Sequence, residues 1–221
     1  MKRINETVMS NYEKRLLDWA CARMPTWVTS DMLTALGVIG AGMIFAGFSL
    51  SSNSPSWLSL AIAGLALNWA GDSLDGSLAR YRMAERNEYG FFLDHMTDTL
   101  TMSLVAVGIG LSPYVLMATA LAASATYFML TILTMVTYIT TGAFRISYGG
   151  FGPTEIRLFI AIGSALAIFY DVPNFSVLGI SASLGDVVIG ILASLLLITG
   201  IISMIRTARA LAASDPPKYR I

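Results

Sequence analysis

The sequence predicts an all-α membrane protein, with six transmembrane helices preceded by an N-terminal amphipathic helix at the membrane interface. Three observations carry this expectation. Of 221 residues, 55% are hydrophobic and 13% charged, with a mean hydropathy of +0.67. About twice that charged share is usual in soluble domains. The apolar residues gather into six runs, at about 31–51, 57–80, 91–111, 113–142, 154–171 and 186–206, each near the ~20 residues that span a bilayer as a helix. All 14 Lys and Arg lie in the N-terminal tail, around 80–86, around 145–157 or at 206–220, and the links near 51–56, 111–113 and 171–185 have none. Six spans put every basic region on one side. The positive-inside rule makes that side cytoplasmic, with both termini inside.

Residues 1–24 mix charge with Val8, Leu16, Leu17, Trp19, Ala20 and Met24. Part of this stretch reads as a helix lying on the membrane surface, with Trp19 at the boundary, and Pro25 ends it. No cleavable signal peptide is expected, because the first long apolar run begins only after residue 31. Residues 25–210 form the six-helix domain, and 211–221 a cytoplasmic tail. Pro55, Pro113, Pro153 and Pro173 fall in or beside the links. The Ser112-Pro113 link makes the third and fourth spans a tight pair, and the long fourth span is expected to tilt or project.

Composition also excludes chemistry. The net charge of zero offers no basic surface for nucleic acid. A single cysteine, Cys21, allows neither an internal disulfide nor a cysteine metal cluster, and a single histidine, His95, excludes a multi-histidine zinc site.

The chemistry-bearing stretch is residues 71–98, GDSLDGSLARYRMAERNEYGFFLDHMTD. Asp72 and Asp75 are i and i+3, and Asp94 and Asp98 are i and i+4, so each pair shares a helix face. Carboxylates at membrane depth are costly unless compensated, and mark functional sites. Hard divalent cations prefer carboxylate oxygen, so two facing pairs suit Mg²⁺ or Mn²⁺. Gly76 and Gly90 lie near the acidic faces, where a missing side chain lets a ligand or helix come close.

Read in full, the pattern is Asp72-x2-Asp75-Gly76-x2-Ala79-Arg80, nine residues, then Gly90-x3-Asp94-x3-Asp98. It resembles the signature of the CDP-alcohol phosphotransferase family, which moves a substituted phosphate from a CDP-linked donor to an alcohol and releases CMP. The family pattern has eight residues between Arg and the second Gly, so Tyr81–Tyr89 carries one extra, in the expected cytoplasmic turn. The resemblance implies a surface helix before six membrane helices, a homodimer, and two bound divalent ions. It makes Asp72, Asp75 and Asp94 metal ligands, and Asp98 a ligand that also takes part in catalysis. Gly76 and Ala79 would leave room for cytidine and phosphates, and Arg80 would pair with phosphate.

Shorter matches, Asp94-His95-x2-Asp98, Thr137–Arg145 and Thr154-Glu155-Ile156-Arg157, are similar to the choline and ethanolamine phosphotransferases. That branch implies a CDP-choline or CDP-ethanolamine donor and a lipid acceptor such as diacylglycerol or ceramide. Asp98, His95 and Glu155 are then the candidate bases, and Arg145 and Arg157 would hold a phosphate or lipid head group. Glu155 also has a structural explanation, since acids favour helix N-termini, and both arginines could be ordinary cytoplasmic anchors. Ser30-Asp31 replaces the Pro-Asn pair of many members. The alternative donor is CDP-diacylglycerol, with a small polar alcohol (glycerol phosphate, inositol or serine) as acceptor. A reading from another class, a cation transporter using the acids as a path, has against it that they cluster near one membrane face. An inactive scaffold is disfavoured by the intact acids and Arg80.

Overall fold

The computed structural model describes residues 10–142, 153–177 and 180–215. Helix α1, Ser10–Arg23, is followed by α2, Ser30–Leu50, and a single 3-10 turn at Pro55–Trp57. Then come α3 (Leu58–Tyr81), α4 (Asn87–Leu111), α5 (Met117–Thr141) and α6 (Pro153–Phe169). Strands β1 (Asn174–Val177) and β2 (Ile180–Ser183) precede α7, Leu184–Ser214. By length and composition α2, α5 and α7 are apolar and long enough to cross a membrane. The 24-residue α3 and 25-residue α4 have the length but carry the acids, and α6 is shorter, at 17 residues.

Helix α4 begins at Asn87, four residues before the sequence expectation, and three further boundaries differ from it. The fourth apolar run starts its helix at Met117 rather than 113, because Leu116 is extended (ψ 138°) and gives its N–H to Asp186 Oδ1 at 2.8 Å. The link at 171–185 holds an antiparallel hairpin pairing Asn174 with Ser183 and Phe175 with Ala182. Its signal was the polar–apolar alternation Asn-Phe-Ser-Val and Ile-Ser-Ala-Ser, a period of two. Helix α7 runs eight residues past the expected end at 206, to Ser214. A capping box of Ser183 and Asp186 starts it. Its 31 residues span about 46 Å, more than the ~30 Å hydrocarbon core.

The core is the α2–α3 pair, and glycines make it. A Cβ on Gly71 would lie 2.4 Å from Gly37 N, one on Gly40 2.5 Å from Asn68 N, and one on Gly47 2.4 Å from Ala61 N. Backbones can approach this closely only where side chains are missing. Ile44, Phe48, Leu58 and Leu65 of this pair pack with Val105 and Ile109 of α4. Helix α1 docks through buried Cys21, which packs with Val28, Leu33 and Leu78, while Leu16 and Trp19 stay exposed.

The link between α3 and α4 is tightly built. Met83 N–H bonds Arg80 O at 3.1 Å and Ala84 N–H bonds Ala79 O at 2.9 Å, with Met83 left-handed at φ 53°. This is a Schellman closure with methionine where glycine is usual. Next to it, Arg82 donates to the carbonyls of Pro25 (2.7 Å), Met24 (3.3 Å), Thr26 and Val28. One guanidinium thereby caps the whole α1–α2 turn. Replacing Arg82 with Ala should cost about 2 kcal/mol, since charged hydrogen bonds are lost and carbonyls left unpaired. Lysine should recover little of this, because it lacks the planar fork. Melting of the detergent-solubilised protein measures both.

Candidate active site

The short link makes α3 and α4 antiparallel, so the last turns of α3 face the first turns of α4. One carboxylate oxygen each from Asp72, Asp94 and Asp98 comes together within 4.8 Å. Asp75 lines the same cavity as Asp72 and Asp98, with Thr34, Asn68, Thr97 and Thr101 in its wall. One of its oxygens is turned towards α2 and the other is held by its own helix. Thr34 Oγ1 donates to Oδ2 at 2.6 Å, and Gly76 N–H reaches Oδ1 at 2.5 Å. Asp72 and Asp75 are three residues apart, about 60° around the helix, which is enough to aim them at different neighbours.

Arg157, from α6, gives its Nη2–H to Asp72 Oδ2 at 2.8 Å. The pair is largely enclosed, with side-chain exposures of 16% and 28%. The sequence reading kept Arg157 for a phosphate or head group; the fold lays it on one of the acids. Among the described residues it is the cation that ion-pairs with this group. Four carboxylates outnumber the one guanidinium that the described residues bring to them. Hard oxygen donors converging with excess negative charge fit a divalent cation. Asn68 Nδ2 donates to Gly37 O at 3.0 Å, while its buried Oδ1 has no hydrogen-bond partner among the described residues, a free acceptor in the cavity wall.

His95 lies beside the cluster. Its Nδ1 is 2.7 Å from Phe91 O and 3.8 Å from Asp94 Oδ2, and its ring meets that of Phe91 at 4.2 Å. A carbonyl only accepts, so Nδ1 carries the proton and, in the neutral ring, Nε2 holds the lone pair. Arg80 is exposed and donates to Ser77 Oγ at 3.2 Å, with no ion pair to an acid among the described residues. A Cβ on Gly76 would meet only the Arg80 guanidinium, at 3.3 Å, and one on Gly90 would meet nothing within 4 Å. Half-buried Ala79 follows on the same helix. Together these leave open space beside the acids. Arg145 and the side chain of Glu155 lie outside the described residues.

Sequence reasoning missed five polar residues that build the site. Thr34 orients Asp75, and Asn68, Thr97 and Thr101 line the cavity. A signal for Asn68 was available, because Asn68, Asp72 and Asp75 recur at i, i+4 and i+7 on one face. Glu13, on α1, accepts from Trp69 Nε1 at 2.9 Å and from Thr154 Oγ1 at 3.2 Å; nothing in its local sequence marks it. Asp31, noted only for replacing Asn, pairs with Arg86 at 2.5 Å and ties the α3–α4 link to the start of α2.

No curated protein matches the chain. The family model for CDP-alcohol phosphatidyltransferases matches residues 27–214, from the start of α2 to the end of α7. That span includes all four acids, and it decides against the cation-path reading in favour of an enzyme. The chain therefore belongs to the CDP-alcohol phosphatidyltransferase family, membrane transferases of phospholipid synthesis that pass a substituted phosphate from a CDP-alcohol to an acceptor.

Proposed function

We propose that this enzyme transfers phosphoethanolamine or phosphocholine from its CDP ester to the hydroxyl of a membrane lipid, diacylglycerol or ceramide. The observation that carries a reaction here is the convergence of Asp72, Asp94 and Asp98 beside Arg157. Asp72, Asp75, Asp94 and Asp98 would hold two Mg²⁺ or Mn²⁺ ions. When bound, such ions neutralise the donor's diphosphate and stabilise the CMP leaving group. The chain's own residues do the rest. Gly76, Ala79 and Gly90 leave room for the nucleotide, and Arg80 and Arg157, with Arg145, supply positive charge for phosphate. The acceptor oxygen attacks the phosphorus distal to cytidine, the phosphoanhydride bond breaks, and CMP departs. The acceptor's proton passes to a base.

His95 is our first choice of base. The tether of Nδ1 to Phe91 supports it by leaving Nε2 as the basic nitrogen. Asp98 and Glu155 are the other candidates. The lean to an aminoalcohol donor rests on His95 and on the stretches around 145 and 155. In the bilayer, α2–α7 would all cross, with α1 on the cytoplasmic surface, both termini and the acids on that side. Ala118, Ala122 and Ala125 of α5 suit close packing in a homodimer.

The test is CMP release by purified protein in lipid with Mg²⁺ or Mn²⁺. CDP-ethanolamine and CDP-choline are offered with diacylglycerol or ceramide, beside CDP-diacylglycerol with glycerol phosphate, inositol or serine. Release from the water-soluble donors is expected, with His95→Ala slower by about 100-fold or more. Release from CDP-diacylglycerol alone would overturn the donor assignment. Undiminished turnover in a His95→Ala, Asp98→Asn double variant would remove both as the base.

A further inference from the structure

Two polar links join helices α3 and α6. The first is the Asp72–Arg157 ion pair, at 2.8 Å. The second runs through a third helix: Glu13 Oε1, on α1, accepts from Trp69 Nε1 of α3 at 2.9 Å and from Thr154 Oγ1 of α6 at 3.2 Å. Trp69 is three residues before Asp72, and Thr154 three residues before Arg157. On a helix such spacing is about one turn along the same side, so each partner of Glu13 is a one-turn neighbour, on its own helix, of one member of the ion pair. Glu13 itself is half-buried, at the end of α1 away from the Cys21 anchor.

We infer that Glu13 is a positioning residue, which reaches from the surface helix to clamp α6 against α3 and so holds Arg157 on Asp72. Three physical points support this. Both partners of Oε1 are donors, so one acceptor oxygen satisfies both helices at once. Thr154 and Arg157 both stand at the start of the 17-residue α6, so the two links hold the same end of that helix. Finally, Arg157 is the positive charge placed on a carboxylate proposed to hold a divalent ion, so whatever fixes Arg157 also sets how strongly that ion is opposed. The seating of α1 on the membrane surface thereby couples to the charge balance of the acid cluster.

This inference rests on the metal reading of the acids, and its test separates the two. Mn²⁺ binding to the full chain in lipid, without nucleotide, is followed by the free-Mn²⁺ resonance signal. Arg157→Ala removes an opposing charge and should tighten Mn²⁺ by about 5- to 10-fold. Glu13→Ala and Thr154→Val should tighten it in the same direction and more weakly. Neither should change it further in the Arg157→Ala background. Glu13→Gln keeps an acceptor oxygen and should behave as wild type. A residue serving stability alone would loosen Mn²⁺ or leave it unchanged.

The second readout needs no metal. Melting temperatures of the Glu13→Ala, Arg157→Ala and double variants form a cycle, in which Glu13→Ala should cost clearly less once Arg157 is gone. Additive costs would overturn the inference, as would a Glu13→Gln variant indistinguishable from Glu13→Ala. Weaker Mn²⁺ binding in Glu13→Ala would do the same. If the wild type takes up no Mn²⁺, the metal reading fails, and the melting cycle alone decides the role of Glu13.

Discussion

Exchanging Asp98 for Asn should cut CMP release by about 1,000-fold while leaving the protein folded. Asparagine is isosteric, so packing is kept. What is lost is one of three converging carboxylates, whose oxygens lie within 4.8 Å of those of Asp72 and Asp94. Removing a single group aimed at developing charge commonly costs about 100- to 1,000-fold, and loss of a metal ligand belongs at the upper end. The stability response should have the opposite sign. Without divalent ions, four carboxylates face one ion-paired guanidinium among the described residues, so removing a negative charge relieves repulsion. The Asp98→Asn protein should melt no lower than wild type in chelator. It should also lose most of the stabilisation that saturating Mg²⁺ or Mn²⁺ confers, about 2.7 kcal/mol at a hundredfold excess over Kd. Activity that survives, or undiminished stabilisation by the metal, would show that Asp98 lies outside the reacting group. Combining Asp98→Asn with Asp72→Asn should add little further loss, since groups acting as one unit are not additive.

The second large effect is expected at Gly71. A methyl group there would sit 2.4 Å from Gly37 N, 2.6 Å from Leu33 O and 2.7 Å from Gly37 Cα. Every one of these atoms is backbone, so no rotamer change makes room. Even Gly71→Ala must push α3 off α2, at a cost of about 3 kcal/mol or more, and Gly71→Leu should leave little folded protein. The neighbouring residue is Asp72, so any displacement carries the acid away from Asp94 and Asp98. Catalysis should therefore fall even in whatever Gly71→Ala protein remains folded. Gly42 is the control. It lies on α2 with nothing within 4 Å of its would-be Cβ, and Gly42→Ala should match wild type or melt slightly higher. Yield of monodisperse protein and its melting temperature measure both. Equal behaviour of the two alanine variants would remove the close α2–α3 contact as the organising feature of the fold.

The contrast between these glycines shows where sequence reasoning stopped. Both lie in apolar helical runs and look alike on the page; only the packed pair of helices distinguishes them. Gly76 and Gly90 drew attention through the motif, yet neither would clash with backbone if given a Cβ. Gly37, Gly40, Gly47, Gly64 and Gly71, where backbone blocks a Cβ or lies in contact with it, went unremarked. The acids fared differently. Their pairing within α3 and within α4 is a matter of residues three and four apart, and it follows from the helical repeat.

What the sequence determined by itself is therefore local or compositional. It specified the membrane class, the run of helices from α2 to α7 with most ends within several residues, a first helix ending before Pro25, and four carboxylates near the facing ends of two helices. Each follows from apolar run length, from proline, or from the 3.6-residue turn, and needs no knowledge of a neighbour. The tertiary structure alone decided which way each helix is turned about its axis. That rotation sends Asp75 to Thr34 on α2 while Asp72 meets Asp94, Asp98 and Arg157. It also lets Arg82 cap the α1–α2 turn and Glu13 reach two helices at once. Rotation is set by how closely α2 and α3 approach, through glycines distant in sequence, and spacing along a single helix carries no record of it.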